Sequence, residues 1–280
     1  MTSGRSRLAP PRSVISAAKF RQAAAMAGGT FLSMLSRRVL VSAIILAGAV
    51  GGVAAADRDL LWGVVKVCVA NHALTGGAFP CLDVDTAQGV ARGYAVVRAP
   101  LRQTHVVVTP TARVTGIEDP ALQSPDAPNY FADAWGARKY VLDAVERRVG
   151  EHDIGLAVNS RPGRSQDQLH IHVDCLNHRY AQLLRQHDGG LSAEKWTRLN
   201  FALRGRYYWA MLINSPDLAA VNIFRTAATL LRVSPGRMED VTVVVVPRGD
   251  KGFYLLADQY SPGAMGKGHG EFLLDHACGG

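Results

Sequence analysis

What this chain has little of already narrows it. Only 19% of its 280 residues are charged, and no stretch is low-complexity, so disorder throughout is excluded. No internal repeat of useful length occurs. Cysteine is scarce at four residues, and no CxxC or Cys/His zinc-ribbon spacing exists among them. Acidic residues are missing altogether from positions 1–56, which hold Arg5, Arg7, Arg12, Lys19, Arg21, Arg37 and Arg38. Those seven account for most of the net charge of +8; the rest of the chain carries 24 basic residues against 23 acidic ones. A near-neutral body removes the case for a polyanion binder, so no nucleic-acid partner is expected. Nothing marks a protein partner either.

What is present begins with a hydrophobic content of 48%, enough for one full core or two small ones. Residues 1–38 form a basic tail, and Met34 followed by Leu-Ser-Arg-Arg resembles the start of an export signal. From Val39 to Ala56 the sequence VLVSAIILAGAVGGVAAA is uncharged and apolar. As a helix it rises roughly 27 Å, about the thickness of a bilayer core. Arg37 and Arg38 flank it on the cytoplasmic side, which puts residues 57–280 outside. The segment reads as a single-pass transmembrane anchor, with a signal cut after Ala54–Ala56 as the alternative. An even cysteine count in an exported domain predicts disulfides among Cys68, Cys81, Cys175 and Cys278. Proximity favours Cys68 with Cys81, leaving Cys175 for Cys278.

Downstream, the pattern predicts a helix in DRDLLWGVVKVCV and a hairpin from GVARGYAVVRAP and QTHVVVTPTARVTG. One long amphipathic helix is expected across NYFADAWGARKYVLDAVERRV, then a strand in HDIGLAVNS and a returning strand in LHIHVDCL. YAQLLRQH reads as a short helix, SPDLAAVNIFRTAATLLRV as a longer one, and VTVVVVP and GFYLLADQY as closing strands. Hairpins and helices without a repeating βα unit predict an α+β fold. Tyr130 and Trp135 read as core, and Trp196, Tyr207, Tyr208 and Trp209 as an aromatic patch that packs.

Chemistry concentrates in NSRPGRSQDQLHIHVDC. Alternation along a strand places His170, His172 and Asp174 on one face and Ile171, Val173 and Cys175 on the other. Such a histidine pair suits either metal ligation, with Asp174 as a third ligand, or nucleophilic attack at phosphorus. The preceding loop favours phosphorus: Ser160, Arg161, Gly163, Arg164 and Ser165 offer hydroxyls, guanidinium forks and backbone N–H groups that could converge on a phosphate. His276 lies near Cys278 and reads as a capped surface histidine; Arg113 and Glu118 read as a surface pair.

LAVNSRPGRSQDQLHIHVDC, together with RVTGIEDPAL, NYFADAWGAR and LLDHAC, resembles the CDP-diacylglycerol pyrophosphatase family, a membrane-associated branch of the histidine-triad superfamily. The resemblance spans most of residues 57–280. It implies a HIT-like fold, an antiparallel sheet with packed helices, and hydrolysis of CDP-diacylglycerol at a bilayer to CMP and phosphatidate through a nucleotidyl-histidine. It calls for no cofactor and no metal. The superfamily pattern His-φ-His-φ-His is incomplete here. If Gln168 fills the first slot, His170 attacks; if Asp174 fills the third, His172 does. Counting six residues from Gln166 favours His172, with His170 as its partner and Asn159 helping to hold the phosphate or the nucleophile. The alternatives are a metal-dependent extracytoplasmic phosphoesterase with His170 and His172 as ligands, or a HIT-like hydrolase or transferase acting on soluble nucleotides.

Overall fold

A strand buried at every residue, as VTVVVVP is, requires a sheet covered on both faces. In the computed structural model, which describes residues 57–100, 102–146, 148–263, 268–276 and 278, that sheet has nine strands in the order β1-β2-β3-β5-β4-β8-β9-β7-β6. They are β1 Asp83–Asp85, β2 Tyr94–Arg98, β3 Val106–Pro110, β4 Ile154–Val158, β5 Ile171–Cys175, β6 Thr197–Arg198, β7 Trp209–Ile213, β8 Val241–Pro247 and β9 Phe253–Gln259. Every pairing is antiparallel. The basic tail and the apolar segment 39–56 lie outside the described residues. Among the described residues no helix is long and apolar enough to cross a membrane.

The helices are α1 Leu60–Thr75, α2 Tyr130–Gly136, α3 Lys139–Ala144, α4 His178–Gln186 and α5 Ile223–Ala228. Ile171, Val173, Leu156, Val243 and Leu255 point to one face and pack with Phe131, Val141 and Phe224 of α2, α3 and α5. The other face has two patches. Ala157, Val244 and Leu256 pack with Leu184 of α4, while Ala95 and Val84 pack with Cys68 of α1. Disulfides join Cys68 to Cys81 and Cys175 to Cys278, as befits a domain outside the cytoplasm.

Two helices are shorter than the periodicity predicts. The expected long helix divides into α2 and α3, because the Arg138 guanidinium donates to the Trp135 carbonyl and lies 4.3 Å over the Trp135 ring. A carbonyl taken in this way is drawn off the helical ladder. The expected helix over 215–233 starts only at Ile223, where the Asn222 side chain accepts from Arg225 N at 2.9 Å, and tightens to 3-10 geometry over Thr229–Arg232. Strand β1 carried no periodic signal. Of the aromatics, Tyr130, Trp196 and Tyr208 are buried, and Tyr207 is half exposed.

Candidate functional site

Antiparallel register decides which side chains can meet. His172 of β5 stands opposite Val107 of β3 on one side and Ala157 of β4 on the other. Small apolar neighbours leave the imidazole room on the face between the α1 and α4 patches. His105, just ahead of β3, reaches across, and its Nε2 lies 2.8 Å from His172 Nδ1. The His170 and His172 rings meet edge to face, centroids 4.9 Å apart.

The rest of the site comes from residues 270–278. Leu274 bridges Leu176 beyond the end of β5, Asp275 N donates to Cys175 O at 2.6 Å, and Thr104 Oγ1 donates to His276 O at 3.2 Å. Gly270 N donates to Thr242 Oγ1 at 2.8 Å; a Cβ at Gly270 would overlap that oxygen and Val244, so only glycine lets this turn lie flat on β8. Two groups are thereby delivered. Glu271 Oε2 lies 3.2 Å from His172 Nε2, and His276 Nδ1 lies 2.7 Å from Asp174 Oδ2. The His105 ring stacks on His276 at 4.6 Å. His276 is therefore part of the cluster and not the capped surface group its sequence position suggested.

Proton positions follow from the acceptors. The Gln168 carbonyl lies 2.7 Å from His170 Nδ1; a carbonyl only accepts, so Nδ1 carries the proton and Nε2 the lone pair. His170 Nε2 has no hydrogen-bond partner among the described residues. His172 Nε2 has two neighbours of opposite kind, the Glu271 carboxylate and Asn159 Nδ2 at 3.3 Å. Protonated, it donates to Glu271; deprotonated, it accepts from Asn159. The Asn159 Oδ1 meanwhile accepts from Glu271 N at 3.3 Å. Burial, followed by the neighbouring His172, lowers the pKa of His105 to about 3. Burial likewise lowers that of His170, and burial together with the surrounding histidines takes His172 well below its ordinary value. Three neutral imidazoles at neutral pH are the form in which histidine can act as nucleophile or ligand.

The basic loop is placed differently from what its composition suggests. Arg164, with a side chain 3% exposed, makes a bidentate pair with Glu118 at 2.7 and 2.8 Å and also meets Asp167. Arg161 pairs with Glu239 at 3.0 Å. The N–H groups of Gly163 and Arg164 both donate to Ser160 O, and Ser160 N donates to Gly268 O. Gln168 donates to Pro110 O and Ala112 O. Gln166 is held against the start of α1, accepting from Leu61 N at 2.8 Å and donating to Asp57 O, beside a bidentate Arg58–Asp167 pair. Much of the loop thus anchors α1, and both arginines are spoken for by carboxylates remote in sequence. Glu118 and Arg113 do not pair with each other; Arg113 meets Asp59. Ser165 and Gln166 are the loop residues that line the same cavity as His170 and His172.

Sequence reasoning passed over His105 and Glu271. Neither sits in a motif, and only the β3–β5 register and the Cys175–Cys278 bridge bring them in. For a metal, the described residues that converge are His105, Asp174 and His276, with ligand atoms within 4.8 Å of one another; His170 and His172 are not in that group.

Unprotonated imidazole nitrogens, a histidine poised to give or take a proton and a carboxylate beside it are the equipment of a hydrolase. The family model described as CDP-diacylglycerol pyrophosphatase matches residues 56–280, and the chain belongs to that family, whose enzymes act on a phosphoric anhydride. It is 31% identical over 246 residues to the CDP-diacylglycerol pyrophosphatase of Yersinia pestis, covering 86% of this chain and 92% of that one. A probable CDP-diacylglycerol pyrophosphatase of Mycobacterium leprae is 34% identical over 226 residues, 80% of this chain and 81% of the relative. The Mycobacterium tuberculosis protein of the same name is 32% identical over 258 residues, with 87% and 95% covered.

Proposed function

We propose that this chain hydrolyses the pyrophosphate of CDP-diacylglycerol to CMP and phosphatidate, with His170 as nucleophile and His172 as the group that handles protons. The observation that carries the assignment is the tautomer of His170, fixed by the Gln168 carbonyl so that the Nε2 lone pair is available. This reverses the preference for His172 drawn from counting along the sequence. His172 Nε2 is flanked by Glu271 and Asn159, an arrangement that suits exchange of a proton and not bond formation to phosphorus.

In the first step His170 Nε2 bonds to the CMP-side phosphorus as the bond from that phosphorus to the phosphatidate oxygen breaks. The leaving phosphatidate oxygen departs as an anion, taking the electron pair of the broken bond. Positive charge building on His170 is eased by its Nδ1–H bond to Gln168 O. A water then adds to the phosphorus, passing a proton to His172 Nε2 in the tautomer in which that atom is unprotonated and accepts from Asn159; the imidazolium so formed pairs with Glu271, and the bond to His170 breaks, returning its electron pair to Nε2 and releasing CMP. Both steps ask mainly for alignment and charge stabilisation.

The antiparallel sheet with its reactive histidine strand supports a HIT-like architecture for 57–280 as the catalytic domain. A substrate embedded in a bilayer and two disulfides support residues 39–56 as a single-pass anchor with the catalytic domain outside. The convergence of His105, Asp174 and His276 favours a second reading, a metal-dependent phosphoesterase, though with ligands other than His170 and His172. Rapid quench on CDP-diacylglycerol labelled in the nucleotide, followed by peptide mapping, tests the proposal. An adduct on His170 supports it, one on His172 exchanges the two roles, and CMP release that survives replacement of both histidines by asparagine sinks the assignment.

A further inference from the structure

The histidines open onto a cavity of about 510 Å³ whose walls are largely aliphatic, with Arg98, Ser165, Gln166 and Glu271 as its other polar lining. Leu60, Leu61 and Val64 of α1 form one side; Pro80, Val97, Pro100 and Val107 add further apolar wall. The aliphatic side chains under α1 offer no hydrogen-bonding group to a ribose, a base or a phosphate. Near the cavity, Leu60 and Val67 of α1 are exposed, and Phe79, which precedes the lining residue Pro80, is 81% exposed. A run of exposed aliphatic and aromatic side chains beside a cavity is the mark of an apolar ligand or a lipid surface.

A second cavity, about 640 Å³, shares Ala99, Pro100, His105 and Glu271 with the first and adds Arg102, Arg204, Asn177 and Phe272. The Arg204 guanidinium lies 5.1 Å over the Phe272 ring. Cationic forks beside an exposed aromatic face match a phosphorylated nucleoside, whose base can stack and whose phosphate can pair. The two cavities meet at the groups that flank His172.

We infer that the site is polarised: the acyl-glycerol half of the substrate lies in the aliphatic cavity under α1, and the nucleotide half lies in the cavity of Arg102, Arg204 and Phe272. This rests on the proposed substrate and adds its orientation. α1 is then a lipid-selecting element, held in place by the Gln166 and Asp167 contacts to its start, and the anhydride spans the junction where His170 and His172 stand.

The test compares kcat/KM on long-chain CDP-diacylglycerol in mixed micelles with that on CDP-glycerol, which has no acyl chains. Leu61→Asn and Val64→Asn should lower the ratio of the two by at least about tenfold, the order expected from spoiling contacts with several methylenes. Leu74→Asn, at the far end of α1 and outside the cavity, should leave the ratio within about twofold. An unchanged ratio in both cavity variants overturns the inference. Photocrosslinking wild-type protein with a CDP-diacylglycerol bearing a diazirine on its acyl chain reads placement directly, even if a variant folds poorly. Label in residues 60–64 or 97–98, which line the first cavity alone, supports the inference, and label confined to the Arg204–Phe272 region overturns it. Should wild-type protein release CMP from neither substrate, the proposed function fails, and crosslinking still decides the lipid side.

Discussion

His105 Nε2 and His172 Nδ1 face each other across 2.8 Å of a buried strand pair, so the proton state of one imidazole dictates that of the other. With Glu271 accepting from His172 Nε2, His172 Nδ1 must accept, and His105 must be the donor. On the proposed mechanism His105 is thus a positioning residue, acting through His172.

His105→Leu removes that donor and should lower kcat about 100-fold, as loss of a partner orienting a functional histidine does, while KM changes little. His105→Gln, which keeps an N–H at similar reach, should recover much of the loss. Steady-state kinetics on both variants, with the pH profile of kcat, checks this: a purely structural role would move stability but leave the profile's acid limb where it was.

The same burial sets a pH dependence of stability. His105 has its pKa lowered to about 3, whereas the unfolded chain takes up that proton near pH 6.5. The folded state therefore binds fewer protons below about pH 6.5, and stability falls as pH drops from there toward 3, by up to about 1.4 kcal/mol per pH unit for each such group. His170 and His172 shift in the same direction. Urea unfolding at pH 7 and pH 5 should show the decline, and His105→Leu should flatten it.

Arg164 and Arg161 look equivalent in SRPGRS but should behave differently. Arg164→Ala strands Glu118 beside a buried site and should cost about 3 kcal/mol. Arg161→Ala breaks an exposed pair and should cost no more than about 1 kcal/mol. Gly116 is tied to the same pair, since a Cβ there would overlap the Arg164 guanidinium. Equal losses in denaturant titrations would show that Arg164 is not the anchor described.

The proposed route runs through histidine alone, so CMP release should persist within about twofold in excess chelator, with His172 and Glu271 supplying acid–base function. Loss of activity that added zinc or manganese restores would instead establish the reading based on His105, Asp174 and His276.

How far the site could be read from the chain depends on which contacts are local. Alternation in HIHVDC was enough to place His170, His172 and Asp174 on one face, and VTVVVVP and GFYLLADQY declared themselves as strands. The roles of the loop arginines were not legible, because Glu118 and Glu239, which take them, lie 46 and 78 residues away. His105 was hidden for the same reason: its reach to His172 is a property of β3–β5 register. The division between α2 and α3 was missed because Arg138 fits the helical period and departs from it only through its side chain.

The bridge from Cys175 to Cys278 joins β5, which carries His172, to the segment that brings Glu271 and His276. Replacing both cysteines by serine should cost about 2–4 kcal/mol and reduce kcat further than the stability loss alone explains, because those two side chains lose their tether. Activity measured before and after reduction, at a temperature where the reduced chain stays folded, checks it.

That tether also has a meaning in time and place. With its thiols reduced, the chain joins β5 to the segment of Glu271 and His276 only through non-covalent contacts such as Asp275 N to Cys175 O, and the covalent link forms where thiols can be oxidised. On the proposed mechanism, full activity then depends on the redox state of the compartment in which the chain folds.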